Sequence, residues 1–232
     1  MAAGNKQSLE GIALLEGLAP ASRASLEARC AWHDFKKGEQ IIDRQSEERG
    51  VYFVTRGRVQ IVNYSLSGRE ISFDDLEAGN YFGELATLDD GPRSANVVAL
   101  EPTTVAIVSP AAFTEFLEAN PKLAMKVMRR LSAIVRRSTE RIMDLSTLGA
   151  NNRVHAEILR QAGEHMDGEN RAVINPVPNH SDIASRVSTT RETVARVLSD
   201  LTRHEILQRE GKALVVTDVA RLSEMVEDVK GE

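Results

Sequence analysis

Apolar residues follow two different rhythms along this chain. In the first half they gather in short runs rich in β-branched and aromatic residues. Examples are Gln40-Ile41-Ile42, Val51-Tyr52-Phe53-Val54, Val59-Gln60-Ile61-Val62 and Ala95-Asn96-Val97-Val98-Ala99-Leu100. Gly38, Gly50, Gly57, Gly68, Gly79, Gly83 and Gly91 punctuate them. Short strands about ten residues apart, with turn residues between, predict an all-β roll or barrel. The segments show no exact repeat, which argues against a solenoid.

After Ser109-Pro110 the rhythm becomes helical. Ala111 to Glu118 predicts a short helix that Asn120-Pro121 ends, because proline cannot continue a helix interior. From Lys122 to about Leu148 there is neither glycine nor proline. Within that stretch Ala124, Met128, Leu131, Val135, Ser138, Ile142 and Leu145 recur at alternating spacings of four and three, a coiled-coil seam. Such a helix runs about 40 Å at 1.5 Å per residue, longer than a small domain needs internally. Two uses are open to it: a dimer axis, or a helix packed on its own domain.

Gly149-Ala150-Asn151-Asn152 breaks the pattern and predicts a hinge. Beyond it, Arg153 to Glu164 reads as helix and Ile174 to Asn179 as an extended, helix-breaking stretch. Two short helices follow, then a hairpin turning at Gly211-Lys212 between Ile206–Arg209 and Leu214–Thr217. Asp218 can cap a last helix to about Val229. The expected organisation is α+β: a jelly-roll-like β-roll with flanking helices over 1–120, a long helix over 121–148, a hinge at 149–152, and a mostly helical domain over 153–232.

Composition narrows the classes. The 232 residues are 42% hydrophobic and 27% charged, ordinary for a soluble globular protein. No apolar run reaches the roughly 18 residues of a membrane span. Met1 to Glu10 lacks the basic-then-apolar pattern of a signal peptide, which favours the cytoplasm. One cysteine, Cys30, excludes a disulfide framework and an iron–sulfur cluster ligated within one chain. The five histidines are dispersed, and neither a Gly-x-Ser-x-Gly elbow nor a Walker loop occurs, so no catalytic or metal-ligating set is expected. The net charge of −5 argues against nucleic acid as a partner, but a sum hides local order. From Ile183 to Lys212, Arg186, Arg191, Arg196, Arg203, Arg209 and Lys212 outnumber Glu192, Asp200, Glu205 and Glu210.

Two stretches carry chemistry. In Phe82 to Ala95, Gly83 permits close backbone approach, and a helical turn from Glu84 would aim free N–H groups at an anion. Gly91-Pro92 then turns the chain back to deliver Arg93 and Ser94, and arginine is the natural partner for a phosphate. Glu84 beside a phosphate makes sense if it accepts from a hydroxyl such as a ribose offers. The alternative is an ordinary loop closed by a Glu84–Arg93 salt bridge.

In the second stretch, Ser181 to Val187 and Arg191 to Leu201 form two short helices around a turn at Ser188–Thr190, with small Ala184 where they can cross. Val194, Val197, Leu198 and Leu201 make the buried stripe of the second helix, leaving Arg191, Glu192, Ala195 and Arg196 at its exposed N-terminal part. Arginine can grip guanine and glutamate can accept from cytosine. Glu192 has a second reading, as the acid of a capping box that starts at Thr189.

The first stretch resembles the phosphate-binding cassette of cyclic-nucleotide-binding domains. Arg191-Glu192-Thr193-Val194-x-Arg196 resembles the recognition helix of the cyclic-AMP receptor protein (catabolite activator) family, in the superfamily that includes the fumarate–nitrate regulators. The likeness runs in order from about Leu14 to Thr217 and leaves the last helix outside. It implies a cyclic-nucleotide-binding β-roll, a dimerisation helix and a winged helix-turn-helix. It further implies Glu84 on the ribose 2′-hydroxyl, Arg93 and the Ser94 hydroxyl on the cyclic phosphate, and backbone N–H groups around Gly83, Leu85 and Ala95 completing the cradle. By the same likeness Ser138 and Thr139 contact the base, one in its own subunit and one across the dimer. Arg191 and Arg196 read guanines, Glu192 reads cytosine, Thr190 joins the DNA-contacting set, and Lys212 sits at the wing tip beside the DNA backbone. The implied effector is cAMP, with cGMP as a second ligand. The implied partners are double-stranded DNA at a palindromic TGTGA-type site, a second copy of the chain, and RNA polymerase. Two departures stand out: the loop from Thr87 to Pro92 is one residue short, and Ser188 stands where the turn often carries glycine. Haem, no effector, or a regulatory subunit acting on a protein partner are the alternatives.

Overall fold

The computed structural model describes residues 7–66, 68 and 70–230, the last three by backbone only. Residues 1–6 and 231–232, the extremes of the expected domains, lie outside the described residues. The chain divides into two compact units, Met1–Ala133 and Ile134–Glu232.

The first unit is built on two antiparallel four-stranded sheets. One has the order β1-β8-β3-β6, from Ala31–Phe35, Thr103–Val108, Val51–Arg56 and Tyr81–Phe82. The other has the order β2-β7-β4-β5, from Gln40–Ile42, Asn96–Ala99, Arg58–Tyr64 and Glu70–Glu77. Strand alternation explains why Val51 to Val54 is apolar throughout. Tyr52 and Val54 face the space between the sheets with Ile42, Val59, Leu76, Phe82, Val97 and Val105. Val51 and Phe53 face the other way, into a second core with residues of α1 (Pro20–Glu27), α3 (Pro110–Ala119) and the start of α4 (Pro121–Thr147). A strand buried on both faces has no polar side to show.

Helix α3 starts where Ser109 accepts from the Ala112 N–H, with Pro110 in the first turn. Helix α4 is held at its beginning by Leu123 and Val127, which are buried. Lys126 Nζ donates to the carbonyls of Ala13, Leu14 and Glu16 at 3.2, 3.2 and 2.8 Å. The seam residues further along are exposed within the chain: Met128 50%, Val135 63%, Ile142 62% and Leu145 41%. Beyond Ala124 and Leu131, which pack on the first unit's core, the seam is not covered by the domain that carries it.

The second unit holds the rest of α4, α5 (Ala150–Glu164), α6 (His180–Arg186), α7 (Arg191–Arg203), α8 (Val219–Lys230) and a three-stranded sheet. Its strands run β10-β11-β9, from Leu207–Glu210, Ala213–Val216 and Ala172–Ile174. The break between α4 and α5 is narrower than the four residues expected. Gly149 is the extended N-cap and Ala150 to Asn152 already belong to α5, whose first turn closes from Arg153 N to Gly149 O at 3.0 Å. Asp218 caps α8, accepting from Arg221 N at 3.0 Å. No described helix is long and apolar enough to cross a membrane.

Candidate functional site

In the first unit, β6 ends at Gly83 and α2 (Glu84–Leu88) begins directly after it. Gly83 has φ 86°, and a Cβ there would lie 2.8 Å from Arg93 Nη1 and 2.9 Å from the Gly50 carbonyl oxygen. Only glycine fits both the backbone and the space. The chain returns through Asp89, whose carboxylate accepts from Gly91 N at 2.9 Å. Arg93 is then delivered into the fold, 4% exposed.

Arg93 is a buried cation that makes no salt bridge among the described residues, although the charges of Glu48 and Glu84 act on it. Its Nη1 donates to Gly83 O and its Nη2 to Gly50 O, both at 2.9 Å. The guanidinium stands 5.5 Å from the centre of the Tyr52 ring, which stacks on Phe82. Nε is buried with no hydrogen-bond partner. Burial pushes the guanidinium pKa down, with Tyr52 and Glu48 opposing that shift. Among the described residues no ion pair joins Arg93 to Glu84, so the loop closed by a Glu84–Arg93 bridge is not what forms. Glu84 itself is 5% exposed, and Ala95 is buried at 8%. Leu85 and Ser94 are exposed. The fold therefore brings Gly83, Glu84, Leu85, Arg93, Ser94 and Ala95 into one region between β6 and β7. A buried charge held by carbonyls and by carboxylates outside salt-bridge distance is costly, and a bound anion would offset that cost.

Sequence reasoning did not name Gly50 or Tyr52 as parts of this region. They arrive from β3 and the loop before it, roughly forty positions upstream of Arg93, and no local motif marks them.

Ser138 and Thr139 lie on the exposed second half of α4, where the Thr139 hydroxyl donates to Val135 O at 3.0 Å.

In the second unit α6 and α7 meet around a turn in which Ser188 has φ 52°. Serine thus adopts the left-handed conformation for which glycine is the usual choice. Helix α7 is capped by Thr190, which accepts from Thr193 N at 3.2 Å. That places Glu192 in the first turn but not at the third helical position that a capping box requires, so the box starting at Thr189 does not form. Hydrogen bonds from its own backbone N–H and the Thr190 hydroxyl hold the Glu192 carboxyl below the usual range. Val194, Val197, Leu198 and Leu201 are buried as the stripe predicts, and Arg191, Glu192 and Arg196 are exposed. Arg196 Nη2 donates to Asn151 Oδ1 at 3.3 Å. The β10–β11 hairpin turns at Gly211 with φ 59°, leaving Lys212 exposed at its tip.

Arginines secure the C-terminal end of α6. Arg141 donates to Arg186 O. Arg153 donates from Nε to Val187 O at 2.8 Å, from Nη1 to Leu148 O at 2.8 Å and from Nη2 to Ser188 O at 3.1 Å. One guanidinium thus joins the α4–α5 break to the turn before α7. No sequence signal singled these arginines out.

A β-roll on the same chain as a winged helix-turn-helix defines a class of two-domain transcription regulators. Comparison with known proteins agrees. Residues 32–120 match the cyclic nucleotide-binding domain family and residues 152–225 match the Crp-like helix-turn-helix domain family. A CRP-like cAMP-activated global transcriptional regulator of Mycobacterium tuberculosis is 24% identical over 211 residues, covering 90% of this chain and 94% of that one. The cAMP-activated global transcriptional regulator CRP of Salmonella typhimurium is 25% identical over 195 residues, covering 82% and 90%. The structure of a CooA mutant from Carboxydothermus hydrogenoformans matches with TM-score 0.79 at 20% identity, covering 95% of this chain and 96% of that one. The chain belongs to the CRP/FNR family, a family of transcription regulators and not of enzymes.

Proposed function

We propose that this chain is a cytoplasmic regulator in which a cyclic nucleotide, cAMP foremost and cGMP second, controls the binding of a homodimer to a palindromic site. The observation that carries the reading is Arg93: buried, unpaired by any carboxylate among the described residues, and with Nε unsatisfied. A cyclic phosphate supplies a counter-charge and acceptors. Glu84 takes the ribose 2′-hydroxyl, and the Ser94 hydroxyl with N–H groups around Gly83, Leu85 and Ala95 completes the phosphate contacts. Ser138 and Thr139 contact the base from α4.

Exposure of Arg191, Glu192 and Arg196 on the first turns of α7 supports base reading in the major groove. Thr190 and Lys212 flank them on the DNA backbone. The uncovered seam of α4 supports pairing with a second copy, which would read half-sites about 10–10.5 bp apart, of the TGTGA type. Nucleotide and DNA then tighten each other's binding by the same factor. RNA polymerase is the protein partner through which such a regulator acts.

Calorimetric titration of the purified chain with cAMP and with cGMP, repeated on Arg93→Ala, tests the effector. The substitution is expected to weaken binding by about 3–5 kcal/mol, the scale of breaking a buried charge pair. Binding within a few-fold of the unsubstituted chain would refute the cradle, and a haem absorption band in the purified protein would replace the effector.

A further inference from the structure

The β4–β7 ladder stops one residue short of the cradle. Its last pair is Val62 with Asn96. Ala95 and Ser94, which follow Arg93 directly, lie outside it, so no strand partner fixes the backbone that presents the Ser94 hydroxyl and the Ala95 N–H. The side chain of Asn63, next on β4 after Val62, takes that place. Its Nδ2 donates to Ser94 O at 3.1 Å. Its Oδ1 accepts from Asn96 N at 3.4 Å and from Asn96 Nδ2 at 3.3 Å. The amide orientation follows from these partners, since the reverse would set its N–H groups against those of Asn96.

Asn96 is itself pinned on the other side. Its Oδ1 accepts from Arg44 N at 2.9 Å and from Gln40 Nε2 at 3.1 Å. A relay of side-chain amides therefore runs from β2 and the loop after it, through Asn96 and Asn63, to the carbonyl of Ser94. It holds the cradle's exit segment at both ends: Arg93 by Gly83 and Gly50, Ser94 to Asn96 by Asn63.

We infer that Asn63 is a positioning residue for the effector phosphate. It touches no ligand itself. It sets where the Ser94 hydroxyl and the Ala95 N–H stand, and so which exocyclic phosphate oxygen they reach. This rests on the cyclic-nucleotide reading above and assigns to that site a residue outside the cassette motif. A merely structural Asn63 would affect both phosphate oxygens alike through stability, whereas a positioning residue affects one more than the other.

The test measures binding of cAMP and of its Sp and Rp phosphorothioate analogues to the full chain, to Asn63→Ala and to Asn63→Asp, with melting temperatures alongside. In each analogue one exocyclic oxygen is replaced by sulfur, a poorer acceptor, so their affinity ratio reports on the donors at each oxygen. Both variants should bind cAMP more weakly by roughly ten-fold, the worth of one hydrogen bond at a charged site. Both should also compress the Sp-to-Rp ratio, with melting temperatures little changed. Asn63→Asp keeps the acceptor facing Asn96, turns the donor to Ser94 O into a second acceptor and adds a negative charge, so its Sp-to-Rp ratio, not its cAMP affinity alone, decides the matter should Asn63→Ala fail to fold. Unchanged affinity and ratio overturn the inference, as does an equal loss for both analogues accompanied by a fall in melting temperature. If the unsubstituted chain binds neither cAMP nor cGMP, the effector reading falls and takes the inference with it.

Discussion

Ser188 shows how a single residue can hold an unfavoured backbone for the sake of its neighbours. At φ 52° it sits in the left-handed region, where Cβ crowds the following carbonyl. The surroundings hold it there: Arg153 takes the Val187 and Ser188 carbonyls, and Thr189 N donates to Ala184 O at 3.0 Å. The resemblance flagged this position, and the structure shows serine itself adopting the left-handed conformation. Ser188→Gly should stabilise the second unit by up to about 1 kcal/mol, and Ser188→Val should destabilise it by at least as much. Urea unfolding of both variants checks the sign; a stabilised valine variant would contradict the strain. Glu192 carries a related lesson. Spacing allowed it two uses, and the placement of the cap at Thr190 rather than Thr189 removed one.

Helix α5 carries a buried carboxylate, Glu157. Glu157 is 9% exposed and accepts from Arg160 Nη2 at 2.8 Å and Gln161 Nε2 at 2.7 Å, with Arg186 at 3.5 Å. Burial alone would raise its pKa, but the Arg160 guanidinium, helped by Gln161 and Arg186, outweighs burial and holds the carboxyl below its ordinary 4.5. A depressed pKa in the folded state means that stability is present above the unfolded value and is lost as pH falls through the folded one. The second unit should therefore lose stability below about pH 4.5. Glu157→Gln should be less stable at neutral pH and fall more shallowly in acid. Chemical unfolding followed from pH 7 downward measures both slopes, and parallel slopes would show that Glu157 does not carry the effect.

At the scale of the whole molecule the telling feature is what the chain leaves uncovered. Val135 and Ile142 stand 63% and 62% exposed on successive heptads of one seam. Single apolar residues on a surface mean little, but a periodic row along a 27-residue helix is what a coiled-coil partner covers. On the proposed dimer, Ile142→Glu sets like charges against each other across the axis. Sedimentation should then show the monomer at concentrations where the unsubstituted chain is dimeric, with DNA affinity falling because each half-site is held alone. A monomeric unsubstituted chain would end the dimer reading.

Much of this protein was legible in the order of its residues. Short β-branched and aromatic runs between glycines marked the β-roll, period 3.5 marked α4, and the Gly83-to-Ala95 and Arg191-to-Arg196 stretches marked both candidate regions, because such signals depend on backbone limits and near neighbours. Asp218 as a cap was equally local. What remained hidden depended on partners far apart in the chain. That Arg93 finds Gly50 O and Tyr52 rather than Glu84, and that Asn63 stands in for a missing strand partner, follow from how the sheets register. So does the reach of Arg153 from the α4–α5 break to the turn at Ser188, through the packing of α5 on α6. The early start of α5 at Ala150, which shortens the expected hinge, turns on whether one extended residue, Gly149, suffices to cap a helix. Spacing along a sequence fixes which side chains share a face; only the folded register decides which distant carbonyl or carboxylate lies within hydrogen-bond reach.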